Sequence, residues 1–461
     1  MKAQCSAVMF VLNVGLMAMV LTPQSGLAAP ALTRTVSGPT VTGAVESTAT
    51  PAEVSGNAGR VLTLSACIEI ALKKNQSIIA SANSVNATES RVGEARANYY
   101  PQVSWQSGYT RTGQATTITD GVAVKSAPYN LYSSSITLNQ NLIDFGKTSS
   151  QVDISKYNLA SARSDLDATQ AAVILSVKQA YYSVLTTKRN KDVAADVIKQ
   201  FQLHLDQAKG FYDVGTKARI DVIKAEVDLS NAKLNLINVE NSYKIAWVTL
   251  NNVMGVPDAG ESTIEDNLSF QPYAITLEQA TKAAFESRPD LKSMVAKREA
   301  AQESVGLARN GYYPVLTGSA SYMESGQDFP LGRSWNAGLL LTVPLFSGFL
   351  TTHQVAEAKS QLYVLKANEE SLRQQIVLEV RQAYLNLHAA EASIATAELA
   401  AKQAKENLDL ANGRYSAGVG SPIEVSDAFA TYVAAQANYT SALSNYKIAQ
   451  ANIEKATGSR E

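Results

Sequence analysis

The chain is written twice, and that restricts its fold more than any other feature. Ala95-Arg96-Ala97-Asn98-Tyr99-Tyr100-Pro101 returns as Ala308-Arg309-Asn310-Gly311-Tyr312-Tyr313-Pro314. Val177-Lys178-Gln179-Ala180-Tyr181 returns as Val380-Arg381-Gln382-Ala383-Tyr384, and Tyr243-Lys244-Ile245-Ala246 as Tyr446-Lys447-Ile448-Ala449. The last two matches keep one spacing while the first is ten residues wider, so ten residues are missing from the second copy between Pro314 and Val380. Coiled-coil periodicity alone would not hold such matches in register across both halves. The first repeat is placed at 61–256 and the second at 276–458, joined by a linker at 257–275.

Inside each repeat the pattern changes in the same order. A helical stretch (Leu64 to Tyr100; Leu277 to Tyr313) is stopped by a proline, which a helix interior does not accept. Two alternating segments follow, and period-two alternation over about ten residues predicts strands long enough for a tilted membrane crossing. Val103, Trp105 and Tyr109 share one face of the first, and Tyr132, Ile136, Leu138 and Leu142 one face of the second. The second repeat copies this with Leu316, Ala320 and Tyr322, then Trp335, Ala337, Leu339, Leu341 and Val343. The opposite faces are polar and almost uncharged, and the loop between paired strands is the cheapest place for the ten-residue difference. Next, Lys147 to Lys209 and Phe349 to Asn412 contain no glycine or proline. About 63 helical residues would reach roughly 95 Å. A return helix closes each repeat (Thr216 to Met254; Ile423 to Thr457).

The N-terminus reads as an export signal. Lys2, the apolar stretch from Ala7 to Leu21 and the small residues ending at Ala28-Ala29 fit a secretory signal peptide over 1–29. Residues 30–60, rich in Thr, Ser, Gly, Pro and Ala, read as a flexible leader. No later stretch is apolar enough for a transmembrane helix. Cys5 leaves with the signal, so Cys67 stands alone and no intrachain disulfide forms. Leu64-Ser65-Ala66-Cys67 resembles a lipoprotein cleavage box without its preceding signal, and a small buried helix residue is the preferred reading. Forty Lys and Arg against 41 Asp and Glu lack the basic excess of a nucleic-acid binder. His204, His353 and His388 are dispersed without ligand spacing, so no metal site is expected, and no phosphate loop or nucleophile motif marks an enzyme or a cofactor.

Four amphipathic strands cannot close a membrane barrel, and open sheet edges do not survive in hydrocarbon. The hairpins must therefore be pooled between copies. Two chains would give eight strands, a width filled by side chains, whereas three would give twelve and leave a lumen. The expected fold is mostly α with membrane β-strands: long helices carrying two β-hairpins at one end. A periplasmic coiled-coil adaptor is the rival reading, and the alternating strands speak against it. A passive porin would be mostly strand, which the long helical runs exclude.

At this point the chain resembles the TolC, or outer-membrane-factor, family. The resemblance covers about residues 61–458 and rests on Leu62-Thr63-Leu64, both Tyr-Tyr-Pro junctions and Leu142-Ile143-Asp144-Phe145-Gly146 with its partner Leu345-Phe346-Ser347-Gly348. The Tyr-x-x-Gly turns Tyr212-Asp213-Val214-Gly215 and Tyr415-Ser416-Ala417-Gly418 complete it. The resemblance implies a homotrimer in outer-membrane lipid, with a twelve-stranded β-barrel and a helical barrel through the periplasm. It also implies docking to a periplasmic adaptor and to an inner-membrane pump of RND or ABC type. Export of small molecules or, in type I secretion, of proteins would follow.

Site residues come from this placement. Tyr99, Tyr100, Tyr312 and Tyr313, at the helix–strand junctions, are either an interfacial girdle or simply bulky helix ends. If the glycine turns are the periplasmic tips, Glu424 and Asp427 share a helix face just beyond one of them and would form carboxylate rings in a trimer. Ser421-Pro422-Ile423-Glu424 also reads as a capping box, so Glu424 has a second explanation. The resemblance implies that Asp221, the repeat equivalent of Glu424, pairs with Tyr415 and with an arginine. Val419, Gly420 and Ser421 stand where that arginine is expected, while Lys217 and Arg219 lie on the first tip. Tyr212, Gly215 and Gly418 are the candidate adaptor contacts, the alternative being ordinary helix C-caps.

Overall fold

The structure, a computed structural model, describes residues 61–459 apart from 114–115, 120–121 and 126. The expected signal peptide and leader lie outside the described residues. Each repeat contributes two short helices, a strand hairpin, one very long helix and a return helix. In the first these are α1 (Leu64–Lys74), α2 (Gln76–Ala97), β1 (Gln102–Thr112), β2 (Thr116–Thr119), β3 (Val122–Lys125), β4 (Tyr129–Ile143), α3 (Lys147–Asp213) and α4 (Arg219–Met254). In the second they are α5 (Leu277–Ser287), α6 (Pro289–Arg309), β5 (Val315–Gly326), β6 (Gly332–Thr342), α7 (Leu350–Ser416) and α8 (Pro422–Thr457). The mostly helical fold with four membrane-length strands and two repeats is as expected.

The structure departs from the sequence reading in three places. Each opening helix is broken, at Asn75 and at Arg288, both of which leave the helical region with ψ of 125°. Asn75 Oδ1 accepts from the Ser77 amide and restarts the helix, while Pro289 occupies the first turn of α6, where its missing N–H costs nothing. The long helices also run past Gly210 and Gly413 into the tips, each spanning 67 residues. A glycine in a helix costs only about 1 kcal/mol, and the Phe211 and Tyr415 side chains that follow are packed in the tip core. Finally, α4 begins at Arg219 instead of Thr216, because the Thr216 and Lys217 amides both turn back onto the Phe211 carbonyl.

The strands form one antiparallel sheet in the order β1-β4-β5-β6, leaving β1 and β6 as its edges. The short β2–β3 ribbon extends the first hairpin, whose connection runs over 113–128 against 327–331 in the second. With β5 one residue longer than β1, the ten-residue difference falls there. Strand turns to helix through left-handed backbone at Phe145-Gly146 and Gly348-Phe349. Asp144 secures the first of these by accepting from the amides of Gly146 and Thr148 at 3.1 and 2.8 Å.

Two separate cores hold the helices. The larger gathers α1, α3, α4, α5, α7 and α8 around Tyr181, Trp247, Leu250, Ile376 and Tyr446. Cys67 lies fully buried in it, as preferred from the sequence, and burial pushes its thiol up to about 11. The linker crosses this core as a strap. Tyr181 donates to the Glu265 carbonyl, Tyr446 donates to Gln271 O and accepts from the Tyr273 amide, and Arg189 grips Asp266 with two hydrogen bonds. The second core fills the far end of the helices with Phe201, Leu205, Leu229, Tyr415, Val425 and Phe429. No described helix is long and apolar enough to cross a membrane.

Candidate functional site

The strand register sorts the sheet into two chemically distinct faces. Reading across β1, β4, β5 and β6, Trp105 lies beside Ile136, Ile136 beside Tyr322, and Tyr322 beside Trp335. The next row on the same face is Val103, Leu138, Ala320 and Ala337, and further down come Leu316 and Leu341. From Leu316 to Tyr322 the apolar rows rise about 20 Å at 3.3 Å per residue. Above them the row Ser107, Ser134, Glu324 and Arg333 ends the apolar stretch, with Arg333 Nε 3.0 Å from Glu324 Oε1. The other face carries Ser104, Thr137, Ser321 and Asn336 in one row and Gln106, Ser135, Met323 and Ser334 in the next. It holds no charged residue in the four-stranded register. One face suits hydrocarbon and the other suits water.

Aromatic side chains collect where the strands meet the helices. Tyr99, Tyr100, Tyr312 and Tyr313 are all more than half exposed, as are Phe145, Phe346 and Phe349. Phe145 stacks on Tyr313 with ring centroids 5.8 Å apart, so the turn of one repeat leans on the junction of the other. The Tyr312 hydroxyl lies 3.0 Å from Thr352 Oγ1.

At the other end, the two helical turns have similar backbones and different side-chain fates. Gly215 and Gly418 take φ of +76° and +80°, and their amides close onto Tyr212 O and Tyr415 O. This is helix-ending geometry, and the positive φ is what requires glycine. A Cβ at either position would meet nothing within 4 Å, so both turns present open backbone. Gly420 is needed for another reason, since a Cβ there would come within 2.8 Å of Tyr415 N. Tyr212 is exposed, whereas its repeat equivalent Tyr415 is buried under His204 and Phe211, with ring centroids 4.5 and 5.8 Å away. Lys217 Nζ lies 5.8 Å from the Tyr415 ring centroid. The Tyr415 hydroxyl has no hydrogen-bond partner among the described residues, Asp221 included. Burial and, after it, the nearby Asp221 carboxylate raise the phenol above its ordinary range.

The acidic residues split by environment. Ser421 Oγ accepts from the Glu424 amide and caps α8, but the Glu424 carboxylate does not reach back to complete a box. It faces Arg414 Nε at 3.3 Å. That arginine lies beside Tyr415 on α7 and pairs with Glu424, not with Asp221 as the expected arginine would. Asp427 is exposed and makes no ion pair among the described residues. Asp221 sits half-buried in the first turn of α4, where a negative charge is favoured by the helix dipole. Deeper in, a node missed from the sequence joins the return helices. Asp228, only 8% exposed at its side chain, receives Lys224 Nζ at 2.5 Å and Ser426 Oγ at 3.0 Å, and Lys224 also donates to Ser426 Oγ at 3.2 Å. The i,i+4 spacing of Lys224 and Asp228 was visible, but the cross-repeat Ser426 was not. Among the described residues no cluster of His, Cys, Asp and Glu could hold a metal ion.

Known proteins share this architecture. Residues 67–256 and 280–459 match the family described as outer membrane efflux protein. The chain is 26% identical to the outer membrane protein TolC of Salmonella enteritidis over 84% of its own length and 79% of that protein. It is also 26% identical to protein CyaE of Bordetella pertussis over 82% and 80% of the two chains. The crystal structure of the outer membrane protein VceC from Vibrio cholerae superposes with a TM-score of 0.72 at 18% identity, covering 86% of this chain and 96% of that one.

Proposed function

This chain belongs to the outer membrane efflux protein family, and from that premise we propose that three copies form an export channel with an acidic periplasmic entrance. The observation that carries the proposal is the open sheet: β1 and β6 are unpaired edges of a four-stranded antiparallel sheet with one apolar face. Unpaired backbone in lipid costs several kcal/mol per group, so each edge needs a partner. Because the four strands reverse direction three times, β1 and β6 run in opposite senses, and β6 of one copy meets β1 of the next antiparallel. Three copies give twelve strands and a lumen lined by the uncharged polar face.

The helices support the same assembly. Ile220, Val227, Leu234 and Val248 on α4 are exposed at sevenfold spacings, as are Val364, Leu378, Leu385 and Leu399 on α7. Apolar residues at heptad intervals with no partner in their own chain suit helix packing between copies. Tyr99, Tyr100, Tyr312 and Tyr313 then mark the inner membrane boundary as an aromatic girdle.

The tips face the periplasm. There Glu424 and Asp427 become rings of three carboxylates around the entrance, with Asp221 and Tyr415 behind them, and favour cations. The open turns around Tyr212, Gly215 and Gly418 receive a periplasmic adaptor, which couples the channel to an inner-membrane pump of RND or ABC type. The channel conducts and performs no chemistry, and the pump supplies the energy. A periplasmic adaptor, the rival reading, has no use for four strands with a hydrocarbon-compatible face. Native mass measurement in detergent tests the assembly. A trimer is expected, and a monomer that stays soluble without detergent would overturn the reading.

A further inference from the structure

The tip core contains two buried polar atoms without a hydrogen-bond partner among the described residues. His204 on α3 is 4% exposed and Tyr415 on α7 is 1% exposed, and their rings pack with centroids 4.5 Å apart. Neither His204 Nε2 nor the Tyr415 hydroxyl has a hydrogen-bond partner among the described residues. Buried polar groups are nearly always paired, so two adjacent exceptions mark a contact between α3 and α7 that rests on ring packing and not on a hydrogen bond. Around them lie Phe201, Leu205, Leu408, Val425 and Phe429, contributed by α3, α7 and α8.

The charges facing this pair come from α4. Asp228, Asp221 and Lys224 all act electrostatically on His204, the two carboxylates favouring its charged form and the lysine opposing it. Asp228 is already committed to Lys224 and Ser426. From the α4 side of the turn, Lys217 lies against the Tyr415 ring. On α3 itself, Asp206 and Lys209 are exposed, with Asp206 accepting from Gln202. The tip-core residues of α7 and α8 carry no charge, and their nearby ionic groups, Arg414, Glu424 and Asp427, point to solvent.

We propose that the tip is an acid-sensitive clasp: neutral His204 lets the helices of the two repeats close over Tyr415, and its protonation drives them apart. The clasp rests on the reading of the tips as the channel entrance. An imidazolium here would be a cation in an apolar core, and Asp228, the carboxylate that acts on it most strongly, already has two partners. Burial holds the His204 imidazole below its ordinary value, outweighing the pull of Asp228 and Asp221. A base so depressed stabilises the closed tip fully above the free-imidazole value. That contribution is lost as pH falls below it, because a loosened, hydrated tip takes up the proton first.

Two measurements on the full-length protein test the clasp, using His204→Phe and, should that variant fail to assemble, His204→Gln. In amide exchange corrected for intrinsic rates, residues 197–213 and 411–429 are expected to lose protection about ten-fold or more between about pH 7.5 and 5.5 in the wild type and not in the variant. In planar bilayers, wild-type conductance is expected to rise about two-fold or more over the same interval, and the variant to keep only the shallower response of its entrance carboxylates. Equal protection at both pH values in the wild type, or identical pH profiles in wild type and variant, would overturn the clasp. Acid-dependent exchange without conductance at any pH would instead uphold the clasp and remove the channel reading.

Discussion

Trp105 on β1 and Trp335 on β6 stand in one row across the sheet, at its two open edges, with Ile136 and Tyr322 between them. Both are more than two-thirds exposed in the single chain. Closing the barrel would bring the edges of neighbouring copies together at the level of these rings and continue the apolar band around it. Trp335→Lys would put a charge on the lipid face and is expected to cost about 2–4 kcal/mol near the membrane midplane. Asn336→Lys, one residue along and on the polar face, is expected to fold normally and shift ion selectivity toward anions. Urea unfolding in lipid vesicles, with reversal potentials for the second variant, checks the pair.

The turn glycines separate into two requirements. Gly418→Ala keeps a left-handed backbone at a cost of roughly 1–2 kcal/mol, and its methyl group points into open space. It is expected to leave the trimer intact, while larger side chains there abolish adaptor capture. Gly420→Ala drives a Cβ into the backbone of Arg414 and Tyr415 and is expected to destabilise the tip more. Thermal melting of both variants, with adaptor pull-down for Gly418→Trp, distinguishes a docking surface from a purely structural turn.

Much of this was legible in the sequence. The duplicated Tyr-Tyr-Pro junctions, the alternation from Val103 to Tyr109 and the glycine-free runs after Lys147 and Phe349 each encode structure locally. The breaks at Asn75 and Arg288 were less visible, because a one-residue interruption leaves the apolar periodicity almost unchanged; Pro289 was the clue. The tips were harder. Tyr212 and Tyr415 occupy the same motif, yet one is exposed and the other is covered by His204 and Phe211, distant in sequence on another helix. Arg414–Glu424 and Asp228–Ser426 likewise depend on how separate helices are brought together, which no local pattern reports.

Arg414 and Glu424 form an exposed pair, and such pairs contribute under about 1 kcal/mol. Arg414→Ala is therefore expected to leave the melting temperature nearly unchanged. In the proposed trimer it removes three positive charges from the entrance, so cation selectivity should increase in bi-ionic reversal potentials. An unchanged selectivity would place Glu424 outside the conduction path.

The linker strap gives a pH prediction of ordinary sign. Burial alone would raise the Asp266 carboxyl, but the hydrogen bonds from Arg189 and the Leu268 amide outweigh it and hold it below its usual value. A depressed carboxylate stabilises the fold above the ordinary carboxylate range and loses that contribution as pH falls through its own lower value. Asp266→Asn should therefore destabilise the strap at neutral pH and flatten its acid dependence. Proteolysis within 257–275, followed from neutral to acid pH, measures it.

Single-channel conductance of the detergent-extracted protein, beside its Asp427→Ala variant, tests the central claim most directly. A channel of pooled sheets with an acidic entrance predicts small, cation-selective currents that grow and lose selectivity in the variant. Absence of current from intact trimers, or identical currents from both proteins, would contradict it.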